Sequence, residues 1–287
     1  MDIAMRDMIN SGSITGPRMF VCGYALIAAR AADSLKWGQV GNIADIKHVI
    51  KREIDAGADW IKMFASTGSA DDVTGFPTFT REEIRAAVEM THDLGKPIAV
   101  HSYGPEAAHE AIMSGANSIE HATDLDEATI IEMVRRGTFY VPTIDHNRYY
   151  IDHADEFGYG KEIKKNLEAF IKRNLETARR AYQAGVQFAM GSDALFTMFG
   201  QNTRELAWFV KAGMTPKEAL DTATINGAAL LGLENDLGKL APGYLADIVA
   251  VEGDPLSDIN VVINNVKWVM KDGRVVVDKR NFTESVE

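Results

Sequence analysis

The stretch IAVHSYGPEAAHEAIMSGANSIEH, residues 98–121, reads as strand, helix and strand in succession. Ile98-Ala99-Val100 and Ser118-Ile119-Glu120 are short apolar runs that each end at a histidine, and the residues from Pro105 to Ser114 form a helical pattern stopped by Gly115. Two strands joined through a helix run parallel. The same alternation extends in both directions. Strands are predicted at 18–23, 60–64, 98–103, 118–123, 139–144 and 188–193, with helices near 43–56, 81–94, 105–114, 126–136 and 162–184. This is the pattern of a parallel sheet wrapped by helices, an α/β fold. Thr80-Arg81-Glu82-Glu83 and Thr215-Pro216-Lys217-Glu218 are capping boxes that start helices. Gly57, Gly95, Gly115, Gly137 and Gly185 stop them.

In a barrel of parallel strands the carboxyl ends meet at one mouth. Lys62, His101, His121 and Asp193 all fall at such ends, so four residues far apart in sequence are candidates for one metal site. From residue 241 the pattern changes to short strands at 247–251, 261–270 and 274–277, with Lys271-Asp272-Gly273 as a hairpin turn. The expected organisation is a barrel domain over 1–240 and a small β appendage over 241–287.

The composition narrows the function. The 287 residues are 46% hydrophobic and carry a net charge of -11 without a run of Lys or Arg, which argues against nucleic acid or an anionic membrane as partner. A small molecule is the expected ligand. The single cysteine, Cys22, lies in the apolar run Met19-Phe20-Val21-Cys22 and reads as a buried structural residue in a reducing compartment. With no 18-residue apolar stretch and no signal segment at Met1-Asp2-Ile3, the expected location is the cytoplasm.

The chain resembles the amidohydrolase superfamily, in particular its imidazolonepropionase-like and prolidase-like (Xaa-Pro dipeptidase) branch. The resemblance is carried by Gly57-Ala58-Asp59-Trp60-Ile61-Lys62, His101-Ser102-Tyr103-Gly104, Ser118-Ile119-Glu120-His121, Gly191-Ser192-Asp193, Ala212-Gly213-Met214-Thr215-Pro216 and Pro242-Gly243-Tyr244-Leu245-Ala246-Asp247-Ile248-Val249. It implies a metal-dependent hydrolase on a (β/α)8 barrel of the TIM type, with a β-sandwich built from both chain ends. Lys62 would be carboxylated to a carbamate bridging two divalent ions, zinc being the expected metal. His101 and His121 would be ligands, and Asp193 the carboxylate that binds metal and moves a proton. Family members also carry a His-x-His pair on their first strand. None of the seven histidines here has that spacing, and only about six strand–helix units are legible, so the expectation is a barrel truncated at its front. Relatives often have histidine before the glycine where Phe199-Gly200 stands.

Each candidate has a plainer reading. Lys62 shares a strand face with Trp60 and Phe64, so it is either a ligand or a wall lysine paired with a carboxylate. A lone histidine at a strand end is usually a hydrogen-bonded core residue; two at equivalent places favour ligation. Asp193 either takes a proton from the attacking water and hands it to the leaving amine, or caps a helix. Tyr103, two residues beyond His101, either donates its hydroxyl to a substrate carboxylate or oxyanion, or packs. His146 and His153 follow Pro142-Thr143 in a stretch with the position of a lid, and both read as solvated surface histidines. His48, His92 and His109 fall within helices and take no role.

Two functions follow. The first is a metal-dependent amidohydrolase cleaving a C–N bond in a small amide or a dipeptide such as Xaa-Pro. The second is a truncated, catalytically silent scaffold that binds metal weakly or not at all. Open strand edges beside the missing segment predict self-association, a homo-oligomer or poor solubility.

Overall fold

A computed structural model of the chain describes residues 1–29, 38–68, 73 and 75–280. Its backbone divides into two compact units, Met1–Pro142 with Asn147–Gln187, and Thr143–His146 with Phe188–Glu287. The last seven residues of the 241–287 segment lie outside the described residues.

The first unit is built on four parallel strands in sequential order, β3 (Ile61–Phe64), β4 (Ile98–Ser102), β5 (Ser118–His121) and β6 (Phe139–Val141), preceded by the short parallel pair β1 (Ile27–Ala28) and β2 (Gln39–Val40). Leu26 joins the pair to β3, its N–H reaching the Lys62 carbonyl at 2.8 Å. The helices are α1 (Asp2–Asn10), α2 (Ile43–Asp55), α3 (Arg81–Asp93), α4 (Pro105–Ser114), α5 (Glu127–Arg136) and α7 (Lys161–Gln183), with most of α6 (Ile144–Asp152).

Register decides which side chains share a face. Lys62 lies beside Ala99, which lies beside Ser118; one step up, Phe64, His101 and Glu120 line up in the same way. Side chains alternate along a strand, so these residues share one side of the sheet. The other side carries Ile61, Met63, Ile98, Val100, Ile119 and Tyr140, all essentially inaccessible. Burying each of these aliphatic side chains contributes roughly 2 kcal/mol. The sheet is therefore anchored by its apolar face, which leaves the opposite face to hold charge.

The helix signals act as their residues dictate. Thr80 accepts from the Glu83 N–H at 3.2 Å while the Glu83 carboxylate takes the Thr80 N–H at 2.8 Å. Thr215 and Glu218 repeat the exchange at 3.2 and 2.8 Å. Gly115 and Gly137 close α4 and α5 with φ of 96° and 70°, a conformation that a Cβ disfavours.

Three predicted strands require correction. Residues 18–23 form no strand: Val21 instead exchanges hydrogen bonds with Asp59, and Gly23 at φ 65° turns the chain before Leu26. Over 188–193 there is no strand, only an isolated bridge at Phe188, and Asp193 at φ 46° leaves the extended conformation at the end of the run. The predicted strand 261–270 is two elements, α11 (Asn260–Asn264) and β8 (Val266–Lys271). The Asp258 carboxylate accepts the Asn260 N–H at 2.9 Å and sets a turn before α11. A short apolar run such as Val261-Val262-Ile263 does not distinguish helix from strand by period.

The second unit holds α8 (Glu205–Ala212), α9 (Pro216–Ala223), α10 (Ile225–Leu230), α11 and an antiparallel sheet of β7 (Ile248–Val251), β8 and β9 (Arg274–Asp278) in that order. Lys271 pairs with Arg274 across Asp272 and Gly273, whose φ values of 49° and 74° are those of the expected two-residue hairpin.

Candidate active site

Lys62 and Glu120 form a close ion pair on the sheet face described above, with side chains 20% and 14% exposed. The Ser118 hydroxyl donates to the other Glu120 oxygen at 2.5 Å. The plainer reading of Lys62, a wall lysine with a carboxylate partner, therefore describes its present contact. Glu120 was not among the predicted site residues. Its signal was nonetheless legible, since Ser118 and Glu120 alternate onto one face of their strand.

His101 and His121, each 5% exposed, end neighbouring strands and bring their rings to 4.6 Å between centroids at 71°. Tyr103 is tilted against His101 at 4.9 Å, stands edge-on to His121 at 5.0 Å, and packs on Phe170 at 4.9 Å. Phe64 closes the other side of His101 at 4.9 Å. Four of the five predicted site residues thus lie in the first unit, three of them as one aromatic cluster.

His121 departs from strand geometry at φ 71°, and Thr143 and Asp193 have φ of 50° and 46°. Such a conformation costs a non-glycine residue about 1 kcal/mol and persists only where neighbours enforce it. At His121 the neighbour is Tyr140. Its buried hydroxyl lies 2.5 Å from the Ala122 carbonyl and 3.0 Å from that of His121. We expect Tyr140→Phe to lower stability by about 1–3 kcal/mol, because a buried carbonyl loses its donor. Urea denaturation checks this, and an unchanged midpoint would show that the hydroxyl does not brace the turn.

Asp193 belongs to the second unit, with its side chain 44% exposed. His146 Nδ1 lies 2.8 Å from the Asp193 carbonyl oxygen and 3.3 Å from its Oδ2. His146 is buried, against the expectation of a solvated residue, because the predicted lid stretch is the start of helix α6. The carboxylate of Glu205 takes the N–H groups of Ile144 and Asp145, both at 2.8 Å, and so satisfies the first turn of that helix. Asp145 in turn accepts from Trp208 Nε1 at 2.9 Å and pairs with Arg204 at 3.1 Å. Burial, with the Asp145 charge adding, raises the Glu205 carboxyl to about 8 against the pull of those two N–H donors. His153 is half-buried, its ring tilted against Tyr149 at 4.2 Å between centroids.

Among the described residues no three or more of His, Cys, Asp and Glu come together in metal-binding geometry. Two adjacent imidazoles suit half of such a site, and a free Lys62 amine would have to leave Glu120 to add to it. A cavity of about 540 Å³ in the first unit lies elsewhere, between the starts of α3, α4 and α5, and is lined by Phe79, Arg81, Glu106 and His109 among others. It contains none of the candidate residues. Cys22 is partly buried, which pushes its thiol pKa up and disfavours the thiolate. No helix among the described residues is long and apolar enough to cross a membrane.

Comparison with known proteins places this α/β chain. The chain belongs to the amidohydrolase family, whose model matches residues 2–276. It is similar to the ochratoxinase of Aspergillus niger, with 31% identity over 282 residues, covering 88% of this chain and 58% of that protein. It is 26% identical over 213 residues to the imidazolonepropionase of Alkaliphilus metalliredigens, covering 70% of this chain and 45% of that one. Among solved structures, a Xaa-Pro dipeptidase with methionine bound in its active site superimposes with a TM-score of 0.85 at 32% identity, covering 96% of this chain and 71% of the other. A prolidase complexed with N-methylphosphonate-L-proline gives 0.86 at 27% identity, covering 97% and 74%. The chain thus spans 58% of the length of the ochratoxinase it matches.

Proposed function

We propose that this chain contributes to a metal-dependent amide hydrolase that cleaves the C–N bond of a small amide or a dipeptide of the Xaa-Pro type. The observation that carries the reading is the buried His101–His121 pair at the ends of adjacent parallel strands, with His121 held at positive φ. Support also comes from the relatives, which include a Xaa-Pro dipeptidase, a prolidase bound to a proline phosphonate and an ochratoxinase. In this reading the β3 to β6 units belong to a (β/α)8 barrel spanning 1–240, and residues 241–287 form part of a β-sandwich.

His101 and His121, with Lys62 as its carbamate and Asp193, would hold the divalent ion, zinc by expectation. Bound there, the ion would acidify water and polarise the scissile carbonyl. Asp193 accepts the proton of the attacking water and returns it to the leaving amine, so the amine departs neutral. Tyr103 directs its hydroxyl at the substrate carboxylate or the developing oxyanion. The wall of Phe64, Tyr103 and Phe170 excludes bulk water from the imidazoles. One observation favours the second reading, a silent scaffold: Lys62 is engaged by Glu120.

Metal content by elemental mass spectrometry, on protein purified without chelator, tests the proposal. Near-stoichiometric zinc in the parent, falling at least tenfold in His101→Ala and His121→Ala, is the expected result. Zinc retained in the doubly substituted protein would overturn it. Hydrolysis of Xaa-Pro dipeptides by the zinc-loaded protein separates the two readings.

A further inference from the structure

We propose that His146 is a positioning residue for Asp193, holding its backbone and its carboxylate in a single orientation. The inference goes beyond the function proposed above but rests on it for the role of Asp193. All of the contacts behind it lie within the second unit.

A carbonyl oxygen only accepts, so the 2.8 Å contact with the Asp193 carbonyl requires the proton on His146 Nδ1. The same nitrogen lies 3.3 Å from Asp193 Oδ2, so one donor addresses both main chain and side chain of the same residue. That residue is at φ 46°, immediately after Gly191-Ser192, a conformation that needs outside contacts to hold it. The following loop is tied back by the Asn202 amide, which donates to Ser192 Oγ at 2.8 Å.

His146 is itself immobilised. It occupies the first turn of α6, whose preceding N–H groups are taken by Glu205, and Asp145 beside it is clamped by Trp208 and Arg204. The chain of support runs from a buried carboxylate, through a capped helix start, to an imidazole and then to an exposed aspartate. His146 is 6% accessible and Asp193 44%, which is the division expected between a group that aims and a group that reacts.

The test compares the parent with His146→Ala and His146→Asn. Asparagine places an amide N–H near the position of Nδ1, so it replaces the donor without an imidazole. NMR on 15N-labelled, metal-free protein reads two quantities, the tautomer of His146 and the backbone order parameter of Asp193. Zinc titration of all three proteins reads affinity. We expect the Nδ1–H tautomer in the parent. The Asp193 order parameter should be near 0.85 in the parent and in His146→Asn but below about 0.6 in His146→Ala. Zinc affinity should fall about 10- to 100-fold in His146→Ala and recover in His146→Asn. An Nε2–H tautomer, an Asp193 equally ordered in His146→Ala, or no rescue by asparagine would overturn the proposal. If the parent takes up no zinc, the metal reading fails by itself, and the tautomer and order parameters still decide the role of His146.

Discussion

Glu205→Ala is expected to lower stability by about 3 kcal/mol or more. The substitution strands the N–H groups of Ile144 and Asp145, each now satisfied at 2.8 Å, in a place water does not reach. Each buried unsatisfied donor costs about 1–3 kcal/mol, and the volume of the lost side chain adds to that. Denaturant titration measures it, and a loss below about 1 kcal/mol would mean that the helix start relaxes to find other acceptors.

The same residue predicts a pH dependence. Its carboxyl titrates at about 8 in the folded protein and near 4.5 when free. Between those values the folded chain keeps a proton that the unfolded chain has released. The contribution of Glu205 is therefore full below about pH 4.5 and lost as pH rises through 8. The slope for one proton is at most about 1.4 kcal/mol per pH unit. Glu205→Gln keeps one acceptor and removes the titration, so its stability should be flatter between pH 5 and 8. Parallel pH profiles for parent and variant would refute this assignment.

How much of this was legible in the sequence depends on the range of the interaction. The strands at Ile61–Phe64, Ile98–Ser102, Ser118–His121 and Phe139–Val141, and the helices between them, follow from local apolar patterns, capping boxes and stop glycines. The segment 18–23 misled because Met19-Phe20-Val21-Cys22 has the composition of a strand, whereas Gly23 and the carboxylate of Asp59 decide its path. His146 was misread because its burial depends on Glu205, 59 positions away, and on Trp208, neither of which leaves a trace near Pro142-Thr143. The partner of Lys62 could have been named, since Glu120 is placed by strand alternation, but the register that aligns β3, β4 and β5 is a property of the folded sheet.

Removing either half of the Lys62–Glu120 pair is expected to cost about 1–3 kcal/mol, less than for a fully buried pair because water still reaches both side chains. Lys62→Met leaves the Glu120 carboxylate beside His101 and Val141 on the sheet, and Glu120→Leu leaves the Lys62 ammonium beside Ala99. The double substitution removes both desolvation costs together, and its stability should return to within about 1 kcal/mol of the parent. That recovery would define the pair as a structural unit, and additive losses would refute it. Stability alone does not separate a wall lysine from a resting ligand, because both readings have the same ion pair. The chemistry does. As an ammonium, Lys62 has no lone pair; it must release one proton to become an amine and a second on joining carbon dioxide as a carbamate. Protein given 13C-bicarbonate and zinc should therefore show a carbamate carbon resonance that is absent in Lys62→Met. Its absence from the parent as well would leave Lys62 as the counter-ion of Glu120 and remove it from the ligand set.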